Sequence, residues 1–196
     1  MTALPGEPET DAGTAGVSEA ASAQADQVLR LLAAAEGAGL PLWLSGGWAI
    51  DARLNRVTRE HGDIDVAFPR ERESGLVSLL QSMGPFSLER TDYGFLARSG
   101  TLLVDCEPCV LAGSAYEIDG PPAGSCPWDR QGVIAGTAVR CVSWEAILWD
   151  YFHYLEEVPR SGWAAKDLAG YALARTVHGV AASNRLHAQF QTEYTA

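Results

Sequence analysis

Two short acidic spacings, Asp63-Ile64-Asp65 and Asp105-Cys106-Glu107, are the residues of this sequence best suited to chemistry. Side chains in a strand alternate between faces. Each spacing therefore puts two carboxylates on one face, leaving Ile64 and Val66, or Val104 and Cys106, for a core. Neighbouring carboxylates repel, and a hard divalent cation with its preference for oxygen ligands compensates their charge. Upstream, Ser45-Gly46-Gly47 ends an apolar run just before a helical pattern, where backbone N–H groups can approach a phosphate at a helix N-terminus. Glycines for phosphates followed by carboxylates for magnesium amount to a nucleotide-binding site. Each half alone is common, since Gly-Gly is usually a turn and D-x-D arises often in acidic chains; the combination is far more specific. If the second acidic strand lies beside the first with matching faces, four carboxylates converge.

The rest of the chain must position these groups. Residues 1–24 are rich in Ala, Gly, Thr, Glu and Pro with almost no large apolar residue, which predicts a disordered extension. From residue 25, Val28, Leu29, Leu31, Leu32 and Ala35 recur at helical spacing, and Gly37 and Gly39 end the helix. Residues 41–44 read as a short buried strand, 48–54 as a helix, 63–68 as the first acidic strand and 74–83 as a helix stopped by Gly84-Pro85. Strands are expected at 86–89, 93–98 and 102–107, then loops over 113–127 and a short hairpin at 132–141. Ser143 is a candidate N-cap for an amphipathic helix through Tyr154, with further helices over 163–178 and 181–194. The fold class predicted is α+β, a small mixed β-sheet flanked by helices (25–118), then connecting loops and hairpin (119–142) and a C-terminal helical domain (143–196). A ligand cleft is expected between sheet and C-terminal helices.

With 196 residues, 47% of them hydrophobic, the chain can bury a sizeable core. The formal net charge of −11 argues against a nucleic-acid partner, which would demand a basic face; it either favours a cationic substrate or simply aids solubility. No apolar run has membrane-spanning length and no basic region precedes an apolar one at the N-terminus, so a soluble, cytoplasmic protein without a membrane partner is expected. Cys106, Cys109, Cys126 and Cys141 are expected to be buried thiols, because a zinc site would want a second close pair. Lys166 is the only lysine, a compact point charge that suits a phosphate.

The stretch LPLWLSGGWAIDARLNRVTREHGDIDVAFP, residues 40–69, is followed in order by DYGFLA, LLVDCEP, AYEI, GSCP, GVIAG and CVSWEAILWDYFHY. Together these fragments resemble the aminoglycoside 2''-O-nucleotidyltransferases, within the superfamily related to DNA polymerase beta. The resemblance implies a nucleotidyltransferase fold and transfer of AMP from magnesium-ATP to an aminoglycoside hydroxyl, with release of pyrophosphate. It assigns Asp63, Asp65 and Asp105 to two magnesium ions, with Asp105 also a general base. It adds Lys166 to the nucleotide site, for which Gly46, Gly47, Arg59 and His61 are expected from the residues themselves, and Glu107, Asp105, Tyr154 and His153 are expected at the drug. A monomer is expected. His153 stands where those relatives carry tyrosine, and Cys109-Val110-Leu111 where they carry tryptophans; both departures bear on substrate range. Two other readings stay open: a transferase acting on a lincosamide or a protein hydroxyl, and a non-catalytic, antitoxin-like nucleotide-binding module.

Overall fold

The computed structural model describes residues 18–194. Its first helix, α1 (Glu19–Gly37), starts six residues before the expected position, so residues 19–24 are not part of a disordered extension. Ser18 caps it, accepting the Ala21 N–H at 3.1 Å, and alanine is the residue that costs least to hold helical. Ala21 and Ala25 are buried. Small side chains suffice for that close contact, which is why the lack of large apolar residues misled. Residues 1–17 of the expected extension lie outside the described residues.

The main sheet is built from β1 (Trp43–Leu44), β2 (Ile64–Pro69), β3 (Ser87–Arg90), β4 (Phe95–Ser99), β5 (Leu102–Ala112) and β6 (Ala115–Glu117). Its order is β1-β2-β5-β4-β3, with β6 paired to the far end of β5. Only β2 and β5 run parallel. Between them in sequence, α3 (Glu73–Met83) buries Leu76 and Leu80, and the β3–β4 hairpin brings the chain back antiparallel to β5. β5 is five residues longer than expected. Past Glu107 it exchanges β4 for β6 as its antiparallel neighbour, a partner strand inside the stretch expected to be loop. Gly94 has to be glycine, because a Cβ there would overlap the Cys106 carbonyl.

A second hairpin, β7 (Gly132–Ile134) and β8 (Thr137–Val139), turns through Ala135 and Gly136, both at positive φ as a two-residue hairpin turn requires. The chain then lies along the outer edge of β1: Leu44 donates to the Arg140 carbonyl at 3.0 Å and Val142 donates to the Leu44 carbonyl at 2.9 Å. Residues 119–142 were expected to form connecting loops and a hairpin, and the hairpin is present. Residues 140–142 in addition satisfy a sheet edge that would otherwise present unpaired backbone groups.

The C-terminal third is α4 (Trp144–Glu157), α5 (Ala165–His178) and α6 (Val180–Tyr194). Ser143 caps α4, accepting the Ala146 N–H at 3.1 Å. Phe152 and Phe190 are buried with their rings 5.7 Å apart, and each buried aromatic of this size contributes roughly 1.5–3 kcal/mol. These helices and the sheet share one continuous apolar cluster running from Val28 through Phe68, Ile134 and Ile147 to Phe190. The three segments drawn from sequence are therefore not separated by core. Among the described residues no helix is long and apolar enough to cross a membrane.

Candidate active site

The parallel register of β2 and β5 sets Asp65 directly opposite Asp105, flanked by Ile64 opposite Val104 and Val66 opposite Cys106. Those four apolar partners are buried. Strand alternation therefore turns Asp65, Asp105 and Glu107 the other way. They face a cleft of about 730 Å³ that is also lined by Ser45, Gly46, Tyr93, Asp119, Asp150, His153, Tyr154 and Glu157. Asp63 sits just before β2 and borders a smaller recess beside Trp48 and His61. Its charge still reaches both Asp65 and Asp105.

Crowding perturbs four of these acids, Asp65, Asp105, Glu107 and Asp150. Burial, then repulsion from Asp63 and Asp105, pushes the Asp65 carboxyl up to about 7, against the pull of Arg59 and Lys166. Burial and the neighbouring Asp105 likewise push Glu107 up to about 7. Asp105 is raised by burial and by Asp63, while the Tyr93 hydroxyl and the adjoining Cys106 backbone work the other way. Asp150 keeps accessible surface in the open cleft, yet protein atoms surround it closely. Burial, then Glu107, Asp65 and Asp105, raise it well above the usual range against the Ser45 hydroxyl.

The hydrogen bonds at Asp105 are lopsided. Tyr93 donates its hydroxyl to Oδ2 at 2.8 Å, whereas Oδ1 is buried with no partner. A buried carboxylate oxygen with nothing bound is costly, and a divalent cation would satisfy it. Among the described residues no three His, Cys, Asp or Glu side chains are gathered closely enough to hold a metal alone. That donor set suits magnesium, which is usually bound by one or two carboxylates together with substrate phosphates.

Beside Asp65 the chain also brings positive charge, since Arg59 and Lys166 both act on its carboxyl. Gly46 opens α2 (Gly46–Arg53) at φ +52°, and a Cβ on it would overlap the Asp65 carboxylate. A Cβ on Gly47 would lie 2.5 Å from His61 Nδ1 and 2.7 Å from Arg59 Nη2. Ser45 makes no side-chain cap to this helix. Its first-turn N–H groups remain available to an anion. Arg59 is half-buried and Lys166 exposed near the start of α5; among the described residues neither is paired with a carboxylate. His61, expected at the nucleotide, is buried with Nε2 2.7 Å from Asp51. It stands behind the glycines and presents its Nδ1–Cε1 edge toward Gly47.

Tyr154 and His153 both reach the cleft from α4. The His153 ring rests edge-on against Phe190 at 4.8 Å and Tyr154 packs on Trp163 at 4.8 Å. Asp150, Tyr93 and Asp119 were not anticipated. Asp150 had a signal, standing three and four residues before His153 and Tyr154 on one helix face. Tyr93 had none, because nothing local links a turn tyrosine to an aspartate twelve positions on. The four cysteines are free and buried, as expected.

The family model described as aminoglycoside-2''-adenylyltransferase matches residues 27–183 of this chain. A 2''-aminoglycoside nucleotidyltransferase of Escherichia coli is 51% identical over 173 residues, covering 88% of this chain and 98% of that protein. The crystal structure of ANT(2'')-Ia in complex with adenylyl-2''-tobramycin superposes with a TM-score of 0.85 at 50% identity, over 88% of this chain and 99% of that one. The lincomycin-bound lincosamide adenylyltransferase LnuA matches with a TM-score of 0.60 at 18% identity, over 82% of this chain and 98% of that one. At that identity the likeness is one of fold alone.

Proposed function

The chain belongs to the aminoglycoside-2''-adenylyltransferase family, and on that premise we propose that it transfers AMP from magnesium-ATP to the 2''-hydroxyl of an aminoglycoside antibiotic. Pyrophosphate is released and resistance follows. The observation that carries this reading is an acid-lined cleft whose Asp65 abuts a glycine turn and feels the charges of Arg59 and Lys166, neither of which has a carboxylate partner among the described residues. A polycationic drug suits the acids, and a triphosphate suits the glycine turn with these cations.

Asp63, Asp65 and Asp105 would hold two magnesium ions, which when bound offset phosphate charge and make the drug hydroxyl easier to deprotonate. The backbone of Gly46 and Gly47 admits the phosphates without a side chain in the way. Arg59 and Lys166 supply positive charge where pyrophosphate departs, and so favour a loose, highly charged transition state. Asp105 takes the hydroxyl proton as general base, and Tyr93, donating to Oδ2, fixes the plane of the carboxylate. Glu107, with Asp150 and Asp119, pairs with ammonium groups of the drug, and each gains by it because a nearby cation relieves the crowding of like charges. His153 and Tyr154 present ring surface to the sugar. ATP as co-substrate points to a cytoplasmic enzyme, and a complete site within one chain to a monomer.

Incubation with magnesium-ATP and tobramycin should release pyrophosphate, with lincomycin giving none. No release by wild type, or full release by Asp105→Asn, would sink this assignment.

A further inference from the structure

We propose that Asp51 is a positioning residue for the nucleotide, acting through His61 to hold the Arg59 guanidinium over the Gly46-Gly47 turn; this rests on the nucleotide reading above. Asp51 lies on α2, buried and away from the cleft acids, and no step of the reaction uses it. Its carboxylate is fully engaged by the loop that follows. It accepts the Thr58 N–H at 3.0 Å and the Thr58 hydroxyl at 2.5 Å, and it meets His61 Nε2 at 2.7 Å. One buried side chain thus ties down both flanks of Arg59.

The loop is clamped on its other sides too. Gln24 of α1 makes two bonds to the His61 backbone, at 2.7 and 2.9 Å. The His61 ring lies against Trp48, centroids 4.4 Å apart, and the Trp48 indole N–H donates to the Asp63 carbonyl at 3.1 Å. The clamp ends at the ligand side. The imidazole edge and Arg59 Nη2 converge on the space where a Gly47 Cβ would be. With Asp51 accepting from Nε2, the ring is kept in one orientation. The planar guanidinium next to it then has a wall to rest on. Arg59 donates to the Glu60 carbonyl at 2.9 Å and has no carboxylate partner among the described residues. Its aim is therefore set by the loop rather than by a partner of its own.

The experiment compares Asp51→Asn, His61→Gln and Arg59→Ala with the double variant Asp51→Asn/Arg59→Ala, using magnesium-ATP and tobramycin. Asp51→Asn and His61→Gln should each raise KM for ATP about tenfold, as loss of an orienting partner does, with KM for tobramycin and kcat changed less than about twofold. The double variant should be no worse for ATP than Arg59→Ala alone. An additive double variant, or an Asp51→Asn that lowers kcat with KM for ATP unchanged, overturns the proposal and leaves the nucleotide reading intact. If Arg59→Ala keeps the wild-type KM for ATP, both fall. Should Asp51→Asn fail to fold, Thr58→Val reads the same clamp more mildly, and an unchanged KM for ATP there overturns the proposal.

Discussion

Two carboxylates are withdrawn from bulk water, Asp51 of α2, gripped by the loop that leads to β2, and Asp105 of the strand pair β2–β5. Asp51 has three close partners supplied by its own neighbourhood. Asp105 has Tyr93 on one oxygen and nothing on the other, with further acids close by. The first arrangement stabilises the fold by itself. The second is completed only from outside, and its uncompensated charge is held in place by the sheet around it.

That contrast is broken or sharpened most strongly by exchanging the cost. Asp105→Asn should reduce turnover by about a thousandfold or more while leaving thermal stability equal or higher, because it removes repulsion. Asp51→Ala should instead lose about 3 kcal/mol of stability, since it strands His61 and Thr58. Urea titration and pyrophosphate assay on the same preparations check both, and a destabilised Asp105→Asn would erase the distinction. Gly46→Ala comes next, with turnover down about a hundredfold and stability down about 1–2 kcal/mol, because alanine is strained at φ +52°.

A subtler test uses pH. Asp65 and Glu107 sit at about 7 in the folded chain and near about 4 when unfolded. The folded state therefore binds more protons across that window, so stability of the metal-free protein should fall as pH rises through it. Melting curves in chelator should show this, and magnesium should flatten the trend. The smallest effect is expected at the rim. Glu157→Gln should weaken tobramycin binding by about two- to fivefold and only at low salt, read by isothermal titration at two ionic strengths.

Much of this was legible beforehand because it is local. Alternation around Ile64 and Cys106 told which way Asp65, Asp105 and Glu107 turn, and Ser143 and the Gly37/Gly39 pair marked helix ends. The beginning of α1 was misread, because burial by alanines leaves no hydrophobic pattern to see. β6 and the edge contact of residues 140–142 were missed for another reason: a strand of three residues is specified by its neighbour rather than by its own composition.

The sequence by itself determined which residue types could bind metal and phosphate, their order, and the faces they share within a strand, since those follow from backbone geometry over a few residues. Only the tertiary structure decided that Asp65 and Asp105 stand opposite one another and that Tyr93 takes one oxygen of Asp105. It alone also decided that Asp150 joins them from a helix 45 positions away in the chain from Asp105, and that His61 lies behind the glycines. Those are relations between distant segments, set by strand register and by the packing of one shared core, and no local pattern encodes them.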